Sequence, residues 1–246
     1  MLRAVYTDSR ASPGDTVVLD PAESHHLVSV RRARTDAIVT VLDGLGRSLH
    51  CRISEPSPER TLLRVESETR TERPAPELCI AHALLKGKAT DSVIPDFAAL
   101  GVRSIQPVIC EHGEVRLDSA RVDSRMQKWR TAAREACKQS GNPWFPEIAA
   151  PLPLLDWLNG AGTRYTLRLV AALDPESRSI PSLLGASSVP PLSIAVLVGP
   201  EGDFSAHECV AIRKAEWTPV RLAPYTLRSE TAARVALAQI VASVMR

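Results

Sequence analysis

Leu192-Ser193-Ile194-Ala195-Val196-Leu197-Val198 runs without a charge into Gly199-Pro200-Glu201-Gly202-Asp203-Phe204, and then into Ser205-Ala206-His207-Glu208. An apolar run of this length, ended by a turn, reads as one continuous apolar strand. The two glycines after it let the backbone pass close to a ligand. Ser205 and Glu208 have the spacing of a capping box, so a helix is expected to open there. A second unit of the same kind follows at once. Residues 218–222 read as a short strand and residues 223–227 as a loop. Arg228-Ser229-Glu230-Thr231 then opens a helix with Val235, Leu237, Ile240, Val241 and Val244 at helical spacing. Ser229 or Thr231 is expected to cap that helix, with Glu230 placed well against its dipole. Both loops fall at the carboxyl ends of strands, where α/β sheets bind their ligands.

Upstream, residues 78–85, 104–109 and 165–171 read as further strands, and residues 91–100 and 121–139 as helices. Pro95 is expected to kink the first of these helices or to sit in its first turn. Alternating strands and helices predict an α/β domain with a parallel sheet. The first 72 residues differ. Short strands are expected at 15–19, 37–42, 49–53 and 61–65, with a turn at Asp43-Gly44-Leu45-Gly46 and one short helix over 22–30. That pattern suggests a small β-barrel. Residues 66–77 are polar, carry two prolines and read as a linker. The expected division is 1–72 and 73–246.

Composition narrows the function classes. The formal net charge is only +2, so a basic surface has to come from clustering, as at Arg31, Arg32 and Arg34. Cys51, Cys79, Cys110, Cys137 and Cys209 are widely spaced, which argues against a zinc site or a disulfide framework and for a reducing compartment. No metal is expected. The N-terminal stretch carries charges where a signal peptide needs an apolar core, and no run is long enough to span a bilayer, so a cytoplasmic protein without membrane attachment is expected. Gly44 and Gly46 lie in a hairpin and lack the third glycine of a dinucleotide fingerprint.

Gly199-Pro200-Glu201-Gly202, then Phe204-Ser205, followed about twenty residues on by Leu222-x-Pro224-x-x-Leu227-Arg228-Ser229-Glu230-Thr231-Ala232, resembles the ribosomal RNA small subunit methyltransferase E family. The likeness extends over nearly the whole chain. It includes Lys86-Gly87, Leu100-Gly101-Val102, Gln106-Pro107, Glu111, Gln139-Ser140-Gly141 and Pro146-Glu147-Ile148. In the N-terminal part it includes His26-Leu27, Val30-Arg31-Arg32 and Asp43-Gly44. The resemblance implies an α/β fold of the SPOUT type. A trefoil-knotted parallel-sheet domain would follow a small PUA-like β-barrel that helps bind RNA. It further implies a homodimer that methylates N3 of a uridine in 16S rRNA, within the small ribosomal subunit, using S-adenosyl-L-methionine. The knot loops would hold that cofactor through Val198, Gly199, Pro200, Glu201 and Gly202 on one side. Leu222, Ala223, Pro224 and Leu227 would hold it on the other. Arg228 is the candidate for holding a phosphate or an imide oxygen, and Glu201 and Glu230 are candidate carboxylates, with the base left open. Arg31, Arg32, Arg34 and Lys86 are the candidate RNA contacts.

The chain departs from the family pattern in its polar shell. Ala89, Pro95, Asp96 and Ala99 stand where the family carries lysines, a glutamine and a glutamate. His112, Asn142 and Tyr225 stand where the family carries arginines, and Ala223 replaces a glycine. Two alternatives therefore stay open on sequence: a related enzyme acting on another RNA, and a relative that binds RNA or cofactor without turnover.

Overall fold

The computed structural model describes residues 1–6, 10–113, 119–186 and 189–244, with the side chains of 119–121 excepted. The chain forms two compact units, residues 1–73 with 134–145, and residues 74–133 with 146–246.

The first unit is built on a curled five-stranded sheet. Its strands are β1 (Leu2–Val5), β2 (Thr16–Val18), β3 (Ile38–Leu42), β4 (Arg47–Glu55) and β5 (Leu62–Arg70), in the order β1-β3-β4-β5-β2. Only β1 and β3 run parallel; the other pairs are antiparallel. This is a PUA-like half barrel. Val39, Val41, Leu49, Cys51, Ile53, Leu63 and Val65 alternate inward and fill its core with Leu27. Helix α1 (Pro21–His25) starts at Asp20, whose side chain accepts from the Glu23 amide, and continues as a single π-helical turn, His26–Val30. The hairpin between β3 and β4 turns on Gly44 and Gly46, both at positive φ. The Asp43 carboxylate accepts from the amides of Leu45 and Arg47 across it.

Two expectations need correction here. The polar stretch 66–70 is not linker, because β5 runs on to Arg70 and the connection spans only residues 71–76. Its polarity has a physical cause: the outer half of β5 faces solvent beside β4, where Arg47 and Arg52 pair with Glu68 and Glu66. Strand β1 was also absent from the expected set, being short and half-buried.

The second unit contains β6 (Glu77–Ala83), α2 (Ala89–Ala99), β7 (Ser104–Ile109) and α3 (Ser119–Ser140), whose last turns count with the first unit. There follow β8 (Glu147–Ile148), β9 (Leu152–Pro153), α4 (Leu154–Asn159) and a 3-10 turn, Ala161–Arg164. The chain closes with β10 (Leu167–Ala171), α5 (Ile180–Ala186), β11 (Ser193–Val198), α6 (Ala206–Lys214), β12 (Thr218–Val220) and α7 (Ser229–Val244). The sheet order is β12-β10-β11-β6-β7-β8, with β9 also on β7, and each of these pairs is parallel. The uncharged run is β11, between β10 and β6 and buried along five of its six residues, which is why it needs no polar face. Pro95 lies inside α2. The connection after β10 bridges back to the last strand at Arg178 and Val220, and the Arg221 amide donates to the Arg178 carbonyl. Helix α7 packs on α5, α2, β11 and β6.

Candidate functional site

Three loops meet at the carboxyl ends of β12, β10 and β11, neighbours in the sheet, and enclose a cavity of about 390 Å³. The first loop follows β11. Gly199 begins it because a side chain there would press on the Phe204 ring, which a Cβ would meet at 3.0 Å. Pro200 is buried, and the chain turns through Asp203 at positive φ, its amide donating to the Pro200 carbonyl. The capping box then forms as expected. The Glu208 amide donates to Ser205 Oγ at 3.1 Å and the Ser205 amide donates to Glu208 Oε2 at 2.8 Å. Glu208 is 1% exposed because its other oxygen accepts from the Glu111 amide, which ties this loop to the end of β7. Hydrogen bonds from Ser205 and His207 hold the Glu111 carboxyl below the usual carboxylate range. His112 Nδ1 lies 3.1 Å from the Gly202 carbonyl.

The second loop joins β12 to α7. Gln239, on α7, donates from Nε2 to the Leu222 carbonyl at 3.0 Å and so fixes the base of this loop. The helix begins at Ser229, and its first bond runs from the Ala232 amide to the Arg228 carbonyl. Arg228 therefore holds the capping position, which corrects the expected cap. Ser229 is the first helical residue. Its hydroxyl donates to the Gly199 carbonyl at 2.5 Å, a bond between the two loops. The third loop is 171–173, after β10. Nothing in the residues Ala171-Ala172-Leu173 marks it; only the strand order, which seats β10 between β11 and β12, does.

Of the residues singled out on sequence, Val198, Gly199, Pro200, Glu201, Leu222, Ala223, Leu227 and Arg228 line the cavity. Gly202, Pro224 and Glu230 lie in or beside the same loops but do not line it. Asp203, Thr226, Ser229 and Tyr225 line it as well. Glu201 and Arg228 are exposed, and neither makes an ion pair among the described residues. Arg31, Arg32 and Arg34 are exposed in the first unit and Lys86 is exposed in the second, and none of the four lines the cavity.

The walls suit a small organic ligand with one charged part. Val198, Val220, Leu222, Leu227 and Ala232 supply apolar surface, while Glu201, Asp203 and Arg228 supply charge of both signs. Beneath them, fully buried His82 reaches Ser229 at 3.3 Å, and burial pulls its pKa down to about 4.

The chain matches the RNA methyltransferase domain family over residues 71–241 and the RNA methyltransferase PUA domain family over residues 19–66. It is 30% identical to a ribosomal RNA small subunit methyltransferase E of Synechocystis sp., across 92% of this chain and 72% of the relative. It is 26% identical to one from Mycobacterium bovis, across 96% and 89%. Among solved structures, a Legionella pneumophila methyltransferase in complex with bound S-adenosylmethionine is 27% identical. Its TM-score is 0.88, over 98% of this chain and 97% of that one. A Neisseria gonorrhoeae ribosomal RNA small subunit methyltransferase E bound to S-adenosylmethionine is 26% identical, with a TM-score of 0.85 over 97% and 95%. The domain match, the Synechocystis relative and the agreement in fold together place the chain in the ribosomal RNA small subunit methyltransferase E family.

Proposed function

We propose that this chain transfers the methyl group of S-adenosylmethionine to N3 of one uridine in 16S rRNA, acting in the cytoplasm as a homodimer on the small ribosomal subunit. The observation that carries the proposal is the meeting of the 198–203 and 222–229 loops in one cavity. They lie about twenty residues apart in the chain and were singled out on their residues. The family matches and the two S-adenosylmethionine-bound neighbours support the choice of donor.

When bound, the donor supplies an electrophilic methyl group on a sulfonium, which loses its positive charge as the methyl leaves. The work left to the protein is alignment and proton handling. Alignment of N3 with the methyl is worth up to roughly 7–11 kcal/mol. The apolar walls exclude water from the reacting atoms, and the backbone of residues 198–202 and 222–227 holds the donor. We assign Arg228 to the uracil oxygens, where negative charge grows as the N3 proton departs. Glu201 lines the cavity and Glu230 does not, so Glu201 is the assigned proton acceptor. Sequence-specific RNA recognition favours unstacked nucleotides, and Arg31, Arg32, Arg34 and Lys86 would hold the surrounding phosphates. The dimer rests on the resemblance. The inward face of α7 (Ala232, Ala233, Ala236, Leu237 and Ile240) is already buried within the chain, which leaves half-buried Val241 and Val244 for a partner.

Nucleoside mass spectrometry of 16S rRNA from a host lacking the gene tests substrate and activity together. The expected result is loss of a single N3-methyluridine, restored by the wild-type gene. An unchanged modification pattern would defeat the proposal and favour a chain that binds without turnover.

A further inference from the structure

His82 sits at the end of β6, is 1% exposed, and packs edge-on against Phe97 at 5.8 Å between ring centres. A histidine in such a place has either a partner for each nitrogen or a reason to forgo one. Here Nε2 lies 3.3 Å from Ser229 Oγ, and Nδ1 is buried with no hydrogen-bond partner. The serine fixes the tautomer. Its single hydroxyl proton is committed to the Gly199 carbonyl, only 2.5 Å away. If Nε2 lacked a proton, Ser229 would have to donate to it, and two oxygens would face each other at that distance with nothing between them. Nε2 therefore carries the proton and donates to Ser229, and Nδ1 is left as a bare acceptor. Burial away from solvent disfavours the charged ring, so the neutral form is kept.

The result is a chain of donors, His82 Nε2–H to Ser229 Oγ–H to the Gly199 carbonyl. It crosses from β6 to the first residue of α7 and on to the loop after β11. Gly199 and Ser229 both line the cavity, and Ser229 directly follows Arg228. Resting on the cavity as the methyl-donor site, we infer that His82 is a positioning residue. Through Ser229 it locks the Gly199–Pro200 peptide plane, and so sets the donor-binding wall in register with Arg228. Glycine at 199 has no side chain to restrain its own peptide, so the bond from Ser229 adds to the restraint that Pro200 imposes.

The test is a double-mutant cycle on S-adenosylmethionine affinity, measured by calorimetry on the full chain, with methyl transfer read in parallel. His82→Leu keeps the apolar contact with Phe97 and removes the donor; Ser229→Ala removes one oxygen. Each is expected to weaken donor binding about tenfold, as the loss of a buried hydrogen bond does. The double variant is expected to be no weaker than either single, because the two groups act in series. His82→Gln, which restores a donor of similar reach, is expected to recover most of the affinity. Additive losses, or wild-type affinity in His82→Leu, would overturn the inference. Should His82→Leu fail to fold, Ser229→Ala and the nitrogen-15 shifts of His82 in the wild-type protein still decide it. An Nε2–H ring is expected, and an Nδ1–H or charged ring refutes the chain of donors. If folded wild-type protein does not bind S-adenosylmethionine at all, the cavity is not the donor site and the inference falls with it. If the wild type binds and the variants bind equally well, only the inference falls.

Discussion

His82 and Arg228 show how differently two polar residues of one site are expected to respond to change. Burial holds the imidazole near a pKa of about 4, against about 6.5 in the unfolded chain. The folded state thus resists a proton that the unfolded state accepts. The stability tied to this residue is whole above pH 6.5 and is lost as pH falls from there through about 4, a loss of about 3 kcal/mol in all. Urea titrations of the wild type and His82→Gln at pH 7 and pH 4.5 should show the wild type losing more stability on acidification; parallel losses would show that the ring is not held neutral. Glu230 and Arg234 act on the ring with opposite signs and are common to both proteins. Arg228, by contrast, is exposed and makes no ion pair among the described residues, so the fold does not lean on it. Arg228→Ala should cut methyl transfer by about 100-fold with an unchanged urea midpoint, as removal of a charge stabiliser does. Full transfer by the variant would take the guanidinium out of the mechanism. Arg228 was visible in the sequence, inside a recognisable pattern. His82 was not, because its function depends on a partner 147 positions away.

At the level of elements, caps and turns give the sharpest expectations. Ser205→Ala removes one half of the box that starts α6 and should cost about 1 kcal/mol of unfolding free energy. Since the same box seats Glu208 against the Glu111 amide, donor affinity should weaken with it. Unaltered stability in a denaturant titration would mean that the box contributes nothing. In the first unit, Gly46 has a φ of +93°, and a Cβ there would meet the Trp144 ring at 2.2 Å. Gly46→Ala should therefore destabilise by roughly 1–3 kcal/mol, because an aromatic edge cannot yield that much room. A thermal midpoint equal to the wild type would contradict the packing. The elements with strong local signals, β11, α6 and the β3–β4 hairpin, were legible in the residues. Strands of two residues such as β8 and β9, and the short helices α4 and α5, were not. Tertiary neighbours rather than local periodicity hold them in place.

At the scale of the molecule, the chain divides first at 73/74, inside the stretch where its composition changes, and then crosses between the units again. Residues 134–145 return to the first unit after sixty residues of the second. They are held there by a buried ion pair, Lys138 with Glu23 at 2.8 Å, with side chains only 8% and 10% exposed. Lys138→Met would leave the Glu23 carboxylate in that low-dielectric setting with its cation gone, and should lower stability by about 3–5 kcal/mol. A double change that also makes Glu23 neutral should recover much of the loss; no loss in the single variant would show that the pair is solvated. No such return was foreseen from the residues, since a helix that serves two cores carries no boundary signal along its length.

The residues alone determined the two loops, the apolar strand that leads into the first of them and the family the chain resembles. Those features depend on short-range chemistry: turn glycines, a capping pair, and the absence of charge where a strand is covered on both sides. The strand order β12-β10-β11 was decided only in three dimensions. That order adds a third wall from 171–173, turns Ser229 from the expected cap into a link between loops, and places His82 beneath them. The physical reason is range. A hydrogen bond across 30 or 147 positions is formed by whatever the sheet brings together, and no periodicity along the chain encodes it.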